Sequence, residues 1–401
     1  MIEWFIIITT VLFISVFAYI KIKYPFWSTQ SIYHSYDWVS QWFSNPFIMR
    51  IIKTKYYDPI QYQTKMYSDI DNSELEELCK LLQEHYTDEE QVLHKVEIDT
   101  INNIYNNPQS MITTYRLQDF CYKGHGELQI NQYKNMLGMT GSYPVKLLIQ
   151  TSNNTVLEKG WVLQHLCSNR YEGIKRKEIH QKLLDNHIYN IFQRSGEHTF
   201  HLMIKYGMTF SGAVPFVETK QNIYNIKNIS NTTLKPGYSV ISCKEENYRN
   251  VFEIIDTENT NICYRLSLER ASLISQIENE SIRIYILFYK TQIVAIYIVK
   301  PENMFYDDYD GYGMIITSSI CLQNSVNDDI AFQQGFKYLV SELSRKQTSV
   351  LKINGLSDNV RLQSNAIDRL PIEQVPMSVY FHNYLIPTSP VTAKNVFSLF
   401  G

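Results

Sequence analysis

The final residues run from Tyr380 through Asn383, Tyr384 and Pro387 to Ala393-Lys394-Asn395-Val396-Phe397-Ser398-Leu399-Phe400-Gly401, with few charges right up to the α-carboxylate. Tails that stay in water are usually polar and charged, so this one reads as folded inward. A desolvated carboxylate beside an ammonium can take its proton without a metal or a covalent intermediate. A docked terminal strand closing a sheet would carry the same residues. A second stretch places Leu166-Cys167 at a strand end, and eight residues beyond Cys167 the chain becomes Lys175-Arg176-Lys177 at a helix start. Free N–H groups at a helix N-terminus together with cations stabilise a phosphate. A solvated basic helix face has the same composition. Cys167 as a nucleophile is the rival chemistry there, without an accompanying Ser-His-Asp or Cys-His set. The run Phe305 to Tyr312, with Asp307, Asp308 and Asp310 among aromatics, reads as a solvated loop or as a metal or peptide contact.

The elements that must position these groups follow from periodicity. Leu75, Leu78, Cys79, Leu81 and Leu82 have helical spacing, and Asp71-Asn72-Ser73 offers caps, which predicts a helix from Ser73 to His85. Strands are expected at Gly138 to Ile149 and Gly160 to Cys167 around the turn-prone Ser152-Asn153-Asn154, then a helix from Lys175 to His187. The same order returns later. Ile282 to Val299, split at Lys290-Thr291-Gln292, reads as two strands, Asp328 to Arg345 as a helix, and Ser349 to Ile353 as a strand. Residues 31–66 read as an irregular aromatic wrap. The softest boundary is the polar run from Gln221 to Lys235, ending in Pro236-Gly237.

A chain of 401 residues with 44% hydrophobic content can bury a large core. Its 37 basic and 40 acidic side chains give a net charge of −3, which implies no global attraction to nucleic acid or anionic lipid, so any anion site must be local. Six cysteines without a CxxC pair argue against a zinc site or disulfide framework and for a reducing compartment. Trp4 to Ile20 is uncharged and lies between Glu3 and Lys21, as expected of an uncleaved single-pass membrane helix. Lys21 and Lys23 on its C-terminal side orient residues 21 onward to the cytosol. A buried first helix is the alternative.

Several segments, taken in order, resemble the N-myristoyltransferase family. Phe26-Trp27-Ser28-Thr29-Gln30 is similar to its Phe-Trp-x-Thr-Gln element. Leu81-Leu82-Gln83-Glu84-His85-Tyr86-Thr87-Asp88-Glu89-Glu90 resembles its helix end and Tyr-x-acidic-acidic loop. Gly138-Met139-Thr140-Gly141-Ser142-Tyr143-Pro144 resembles its Gly-x-Ile-x-x-x-Pro strand, Leu166-Cys167 with the basic stretch its donor site, and Asn354-Gly355-Leu356-Ser357-Asp358-Asn359 its Asn-x-Leu-x-x-Asn turn. The resemblance spans residues 24–401 and is thin over 195–320. It departs at Ser31-Ile32, where the family has Pro-Val, near Thr219 to Asn228, which lack its Arg-Tyr-Trp-His-Arg block, and at Tyr171-Glu172-Gly173, which interrupt the basic stretch.

The resemblance implies an α+β fold of two pseudo-symmetric GNAT-like acyltransferase halves sharing one core. After an anchor at 1–23, residues 24–225 would bind acyl-CoA and 226–401 the peptide. Tetradecanoyl-CoA is then a co-substrate, no cofactor is bound permanently, and the acceptor is the amine of an N-terminal glycine on a peptide or protein, with a monomeric enzyme and no nucleic acid. Donor contacts would come from Pro25, Phe26, Trp27, Leu166, Cys167, Ser168, Ile174, Lys175, Arg176, Lys177 and Glu178. The backbone amides of His165 and Leu166 would polarise the thioester carbonyl, the α-carboxylate of Gly401 would be the base, and Tyr86, Asp88, Glu89 and Glu90 would line the peptide side. The departures imply an altered peptide pocket and weaker donor binding. Another donor or amine on the same fold, or a non-catalytic acyl-CoA or peptide binder, are the alternative readings.

Overall fold

Two hairpin–helix–strand units organise the chain. In the first, Gly138–Gln150 and Thr155–Ser168 pair antiparallel, the helix Arg176–Ser195 crosses over, and Phe200–Tyr206 returns parallel to the second hairpin strand. In the second, Gln292–Tyr306 pairs with Gly311–Cys321, Val326–Arg345 crosses over, and Thr348–Asn354 returns parallel. The computed structural model describes residues 2–37, 42, 46–49, 53–86, 98–116, 118–123, 127–132, 136–150, 155–169, 175–195, 199–256, 262–322, 326–365, 367 and 369–400.

The units share one sheet of 14 strands. From one edge it runs Tyr238–Ser242, Arg283–Tyr289, Gln292–Tyr306, Gly311–Cys321, Thr348–Asn354, Val217–Asn225, Glu373–His382, Phe200–Tyr206, Thr155–Ser168, Gly138–Gln150, Tyr264–Ser267 and Val396–Ser398. Tyr62–Met66 and Met111–Tyr115 extend it beside Gly138–Gln150. Every residue of Thr348–Asn354 is buried, as a central strand covered on both faces requires. The helix Asn72–His85 buries the five positions that its spacing predicts, and Asp71 accepts from the Glu74 amide at 2.8 Å as its cap.

Two expectations need correction. The crossover helix does not stop at His187 but continues to Ser195, burying Ile188 and Ile191 on the same apolar stripe. The polar run expected to begin a boundary at Gln221 instead begins inside Val217–Asn225, between the two units. Its amides are engaged there: Gln221 donates to Asn354 Oδ1 at 2.7 Å, and Asn222 donates to the Tyr224 hydroxyl at 3.2 Å while its own Oδ1 is buried without a partner. Helix Ile2–Lys23 buries no side chain and, among the described residues, is the one helix long and apolar enough to cross a membrane.

Candidate active site

The first hairpin pairs residue for residue except at one point. Met139 faces Cys167 and Gly141 faces Gln164, so His165 and Leu166 together oppose Thr140. His165 takes the left-handed conformation with φ 55°, uncommon for a side chain of its size. A β-bulge of this kind turns the peptide groups it contains out of the regular ladder. Phe200–Tyr206 pairs with Thr155–Ser168 only from Gly160 to Leu163, so the bulge sits where the two parallel strands part.

Aromatics hold it. The His165 Nδ1 is hydrogen-bonded to the Tyr105 hydroxyl at 2.8 Å, and its ring lies 5.5 Å from that of Tyr86. Tyr105, at the end of helix Ile98–Tyr105, is fully buried, and burial keeps its phenol neutral well above the ordinary range. It fits only because position 141 is glycine: a Cβ there would stand 2.2 Å from the Tyr105 oxygen.

Helix Arg176–Ser195 forms a wall shared by both groups of expected donor residues. Leu166 packs against Tyr62, Tyr115, Leu137, Ile179 and Leu183. Phe26 and Trp27 pack with Leu184 and Ile188 one turn further along. Phe26 is buried, with Tyr56 5.1 Å away, and Trp27 lies against Phe210 at 4.2 Å, while Pro25 is exposed. Gln30 fixes this segment to the wall by donating to Asp185 Oδ1 at 3.0 Å, and its Oε1 is hydrogen-bonded to His382 Nε2 at 3.2 Å.

Cys167 is fully buried with its Sγ 3.8 Å from the Leu81 carbonyl oxygen. Burial pushes its thiol up to about 12, only partly opposed by Arg176, so the thiolate needed for nucleophilic attack is absent near neutrality. The rival chemistry therefore fails at this cysteine. Ser168 beside it is also buried, its hydroxyl without a hydrogen-bond partner. Lys175, Lys177 and Glu178 are exposed at the helix start, whereas Arg176 donates to the His85 carbonyl at 3.1 Å. Ile174, Asp88, Glu89, Glu90 and Gly401 lie outside the described residues.

The residues before Gly401 run inward and also close a sheet edge. Val396–Ser398 pairs parallel with Tyr264–Leu266, and Val396, Phe397, Leu399 and Phe400 are all buried. Ser398 N donates to Ser318 Oγ at 3.0 Å, Leu399 N to Leu266 O at 3.1 Å, and Phe400 N to Ser398 Oγ at 3.1 Å. The Phe400 ring lies 5.8 Å from Tyr143, which lies 6.3 Å from Tyr105. Aromatic contacts thus connect the end of the described chain with the His165 bulge.

Sequence reasoning missed Tyr105, Tyr143 and a buried histidine group. His201 and His382 face each other across adjacent strands, Trp161 stacks on His201 at 5.9 Å, and His187 is hydrogen-bonded to Thr113 Oγ1 at 2.7 Å. Desolvation lowers His187 and His382 to about 3 and His201 well below its ordinary value, so all three are neutral. Among the described residues no group of His, Cys, Asp or Glu has metal-binding geometry. The acidic run near residue 307 is a hairpin tip, where Asp310 pairs with Lys227 at 3.2 Å. A cavity of about 590 Å³ near Arg283, Lys346 and Thr348 holds none of the expected site residues.

No protein-family model matches this sequence, and no curated protein matches it. Solved structures do. A structure of Saccharomyces cerevisiae N-myristoyltransferase with bound myristoyl-CoA is 12% identical, with a TM-score of 0.66 over 90% of this chain and 93% of that one. A second, also with myristoyl-CoA, is 11% identical with a TM-score of 0.65 over 92% and 91%. A third, with myristoyl-CoA and inhibitors, is 10% identical with a TM-score of 0.65 over 90% of both chains. The chain has the N-myristoyltransferase fold, a double GNAT-like sheet, as the motif series implies.

Proposed function

We propose that this protein is an N-acyltransferase that moves a tetradecanoyl group from its CoA thioester to the amine of an N-terminal glycine. The observation that carries the reading is the His165–Leu166 bulge at the point where two parallel strands part, with the end of the described chain turned toward it. Backbone amides re-aimed by a bulge suit a thioester oxygen, whose charge grows as the carbonyl is attacked. Phe26, Trp27, Leu166, Cys167 and Ser168 would hold the donor along helix Arg176–Ser195, with Lys175 and Lys177 toward its phosphates. The yeast proteins that share the fold are crystallised with myristoyl-CoA, which supports this donor.

An N-terminal amine, with a pKa of about 8, is mostly protonated at neutral pH and must lose a proton before it attacks. The expected base is the α-carboxylate of Gly401, supported by the inward course of Val396–Phe400. In the reaction the ammonium gives one proton to the base, the amine nitrogen bonds to the acyl carbon, and the C–S bond breaks. The second proton leaving the nitrogen balances the one gained by the CoA thiolate, so one proton is released overall. His165, bonded to Tyr105, would position the bulge. Tyr86 beside it would face the acceptor, with Asp88, Glu89 and Glu90 following in sequence.

The test follows labelled tetradecanoyl from its CoA thioester to a panel of glycine-initiated peptides, with the full chain and with a version extended past Gly401. Transfer by the first, lost in the second while acyl-CoA still binds, is expected. One observation favours a binding-only protein: Arg176 is engaged with the His85 carbonyl rather than presented to a phosphate. Acyl-CoA binding without transfer to any peptide would decide for that reading.

A further inference from the structure

The apolar helix is fastened to the globular body. Beyond Lys23 the helical course continues, with Tyr24 N donating to Ile20 O and Ser28 N to Tyr24 O, both at 2.9 Å. Lys21 Nζ donates to Ser28 O at 3.2 Å. The Tyr24 ring packs on the loop 207–212, where a Cβ at Gly212 would stand 3.1 Å from it, and Trp27 meets Phe210 of that loop. Trp27 follows Lys23 by four residues, about 6 Å along a helix axis. The loop therefore stands beside the helix end, and it presents Met208 to solvent at 86% exposure.

Cations cover the aromatics at this end. Lys205 lies over Phe210 at 5.1 Å, Lys55 over Tyr56 at 5.2 Å and Lys53 over Tyr57 at 4.6 Å. With Lys21 and Lys23 they make a collar of five lysines, on the helix base and on the segments whose rings pack beside it through Phe26 and Trp27. Of the acids near it, Asp37 pairs with His34 at 2.9 Å, Asp58 pairs with Lys182 at 3.8 Å, and Glu218 stands across Ser378 from Lys205. Aromatic rings, lysines on flexible stems and an exposed methionine beside a 22-residue apolar helix match the headgroup layer of a bilayer. The sign of the collar matches anionic lipid.

We infer that this face of the body is a lipid-contact surface. With Ile2–Lys23 in the hydrocarbon, loop 207–212 sits at headgroup depth and the lysine collar binds anionic phospholipid headgroups. The chain's near-neutral total charge hides this local concentration. If Phe26 and Trp27 hold the donor, which rests on the proposed function, the collar sets the donor's entrance at a surface into which a long acyl chain partitions.

The experiment uses the full chain in lipid nanodiscs, with an environment-sensitive fluorophore on Met208→Cys or, as control, on Leu370→Cys, which is 90% exposed in the unsubstituted chain. The unsubstituted chain corrects for labelling of native cysteines. A headgroup-attached quencher should quench the label at 208 about threefold more than at 370 in phosphatidylserine-containing discs. Pure phosphatidylcholine, high salt, or the triple change K53E/K55E/K205E should each reduce that difference at least about twofold. Equal quenching at both sites overturns the inference, as does a difference indifferent to lipid charge. Quenching governed by added free CoA would assign the lysines to donor phosphates instead, and crosslinking of two chains through position 208 would assign the face to a second copy. None of these readouts involves acyl transfer, so this result and that of the transfer assay fail separately.

Discussion

The two hairpin–helix–strand units are alike in order and differ where their parallel strands part. In the first, His165 and Leu166 bulge opposite Thr140, next to the partly exposed Tyr86. In the second, Ser318 faces Ile298 and Ile316 faces Val299, so Thr317 bulges at the corresponding place. There the chain fills the gap itself. Asn359 donates to Ile316 O at 3.2 Å and Asn354 O at 2.9 Å and accepts from Ser319 Oγ at 2.7 Å, while Ser318 receives the amide of Ser398. The same bulge makes a candidate site in one unit and a joint in the other. Their buried ionisable groups differ too. The first unit holds neutral histidines, and the second holds an ion pair, Lys352 Nζ to Glu302 Oε1 at 2.6 Å, with Tyr306 donating to the other Glu302 oxygen at 2.8 Å.

The largest stability effect should come from the joint side. Glu302→Leu takes the carboxylate from Lys352, which is 6% exposed, and leaves its charge with the Tyr306 side chain in place of a full counter-charge. Breaking one partner of such a pair costs about 3–5 kcal/mol, whereas replacing both with apolar residues is often neutral. Urea unfolding of Glu302→Leu and of its combination with Lys352→Met should show the loss and its recovery. A loss under about 1 kcal/mol in the single variant would mean that water reaches the pair.

The largest activity effect belongs to the first bulge. Gly141→Val pushes on Tyr105, which holds His165, and should lower kcat/KM for transfer by about a hundredfold, in the range of a lost oxyanion donor. Thr317→Val at the second bulge removes a buried hydroxyl that lacks a hydrogen-bond partner, keeps the shape, and should leave transfer unchanged. Comparable losses in both variants would erase the distinction between site and joint.

The pH response should separate the units as well. His187, His201 and His382 are held below the ordinary histidine value, so the unfolded chain binds more protons than the fold as pH falls below about 6.5. Stability is therefore fully present above that pH and is lost toward acid, by up to about 1.4 kcal/mol per pH unit for each group. Lys352 is raised above its ordinary value by Glu302 and Tyr306 despite burial, so its contribution persists until strongly alkaline pH. Hydrogen exchange near pH 5 should open Phe200–Tyr206 and Glu373–His382 before Thr348–Asn354. His201→Leu should flatten the acid dependence.

Much of this contrast was legible in the sequence. Both hairpin–helix orders, and the strand after the second helix, follow from apolar periodicity, whereas the strand Phe200–Tyr206 was not expected; the Asn354–Asn359 turn and the Phe26–Gln30 element are recognisable as local strings. The inward tail is legible because Val396, Phe397, Leu399 and Phe400 leave so little that water would favour. What escaped depends on contacts between distant segments. Tyr105 and His165 are 60 residues apart and meet only because Gly141, lacking a Cβ, leaves room for the Tyr105 ring. The three histidines come from a helix and two strands, and no spacing relates them. Arg176 reads as a phosphate ligand in sequence, yet it donates to the His85 carbonyl 91 residues away.

The smallest effect tests whether the joint transmits anything to the site. Ser318→Ala removes the acceptor for the Ser398 amide, a buried hydrogen bond worth about 1 kcal/mol, without touching the first bulge. Global stability should fall by that amount. If the end of the chain works from a fixed position, loosening Val396–Phe400 should also lower kcat for transfer severalfold while acyl-CoA affinity holds, because donor-side residues are untouched. Ser318→Thr, which restores the oxygen, should recover part of the rate. Stability loss with kcat unchanged would show that the second unit only closes the sheet around the tail, and that the catalytic geometry of the first unit does not depend on how the tail is held.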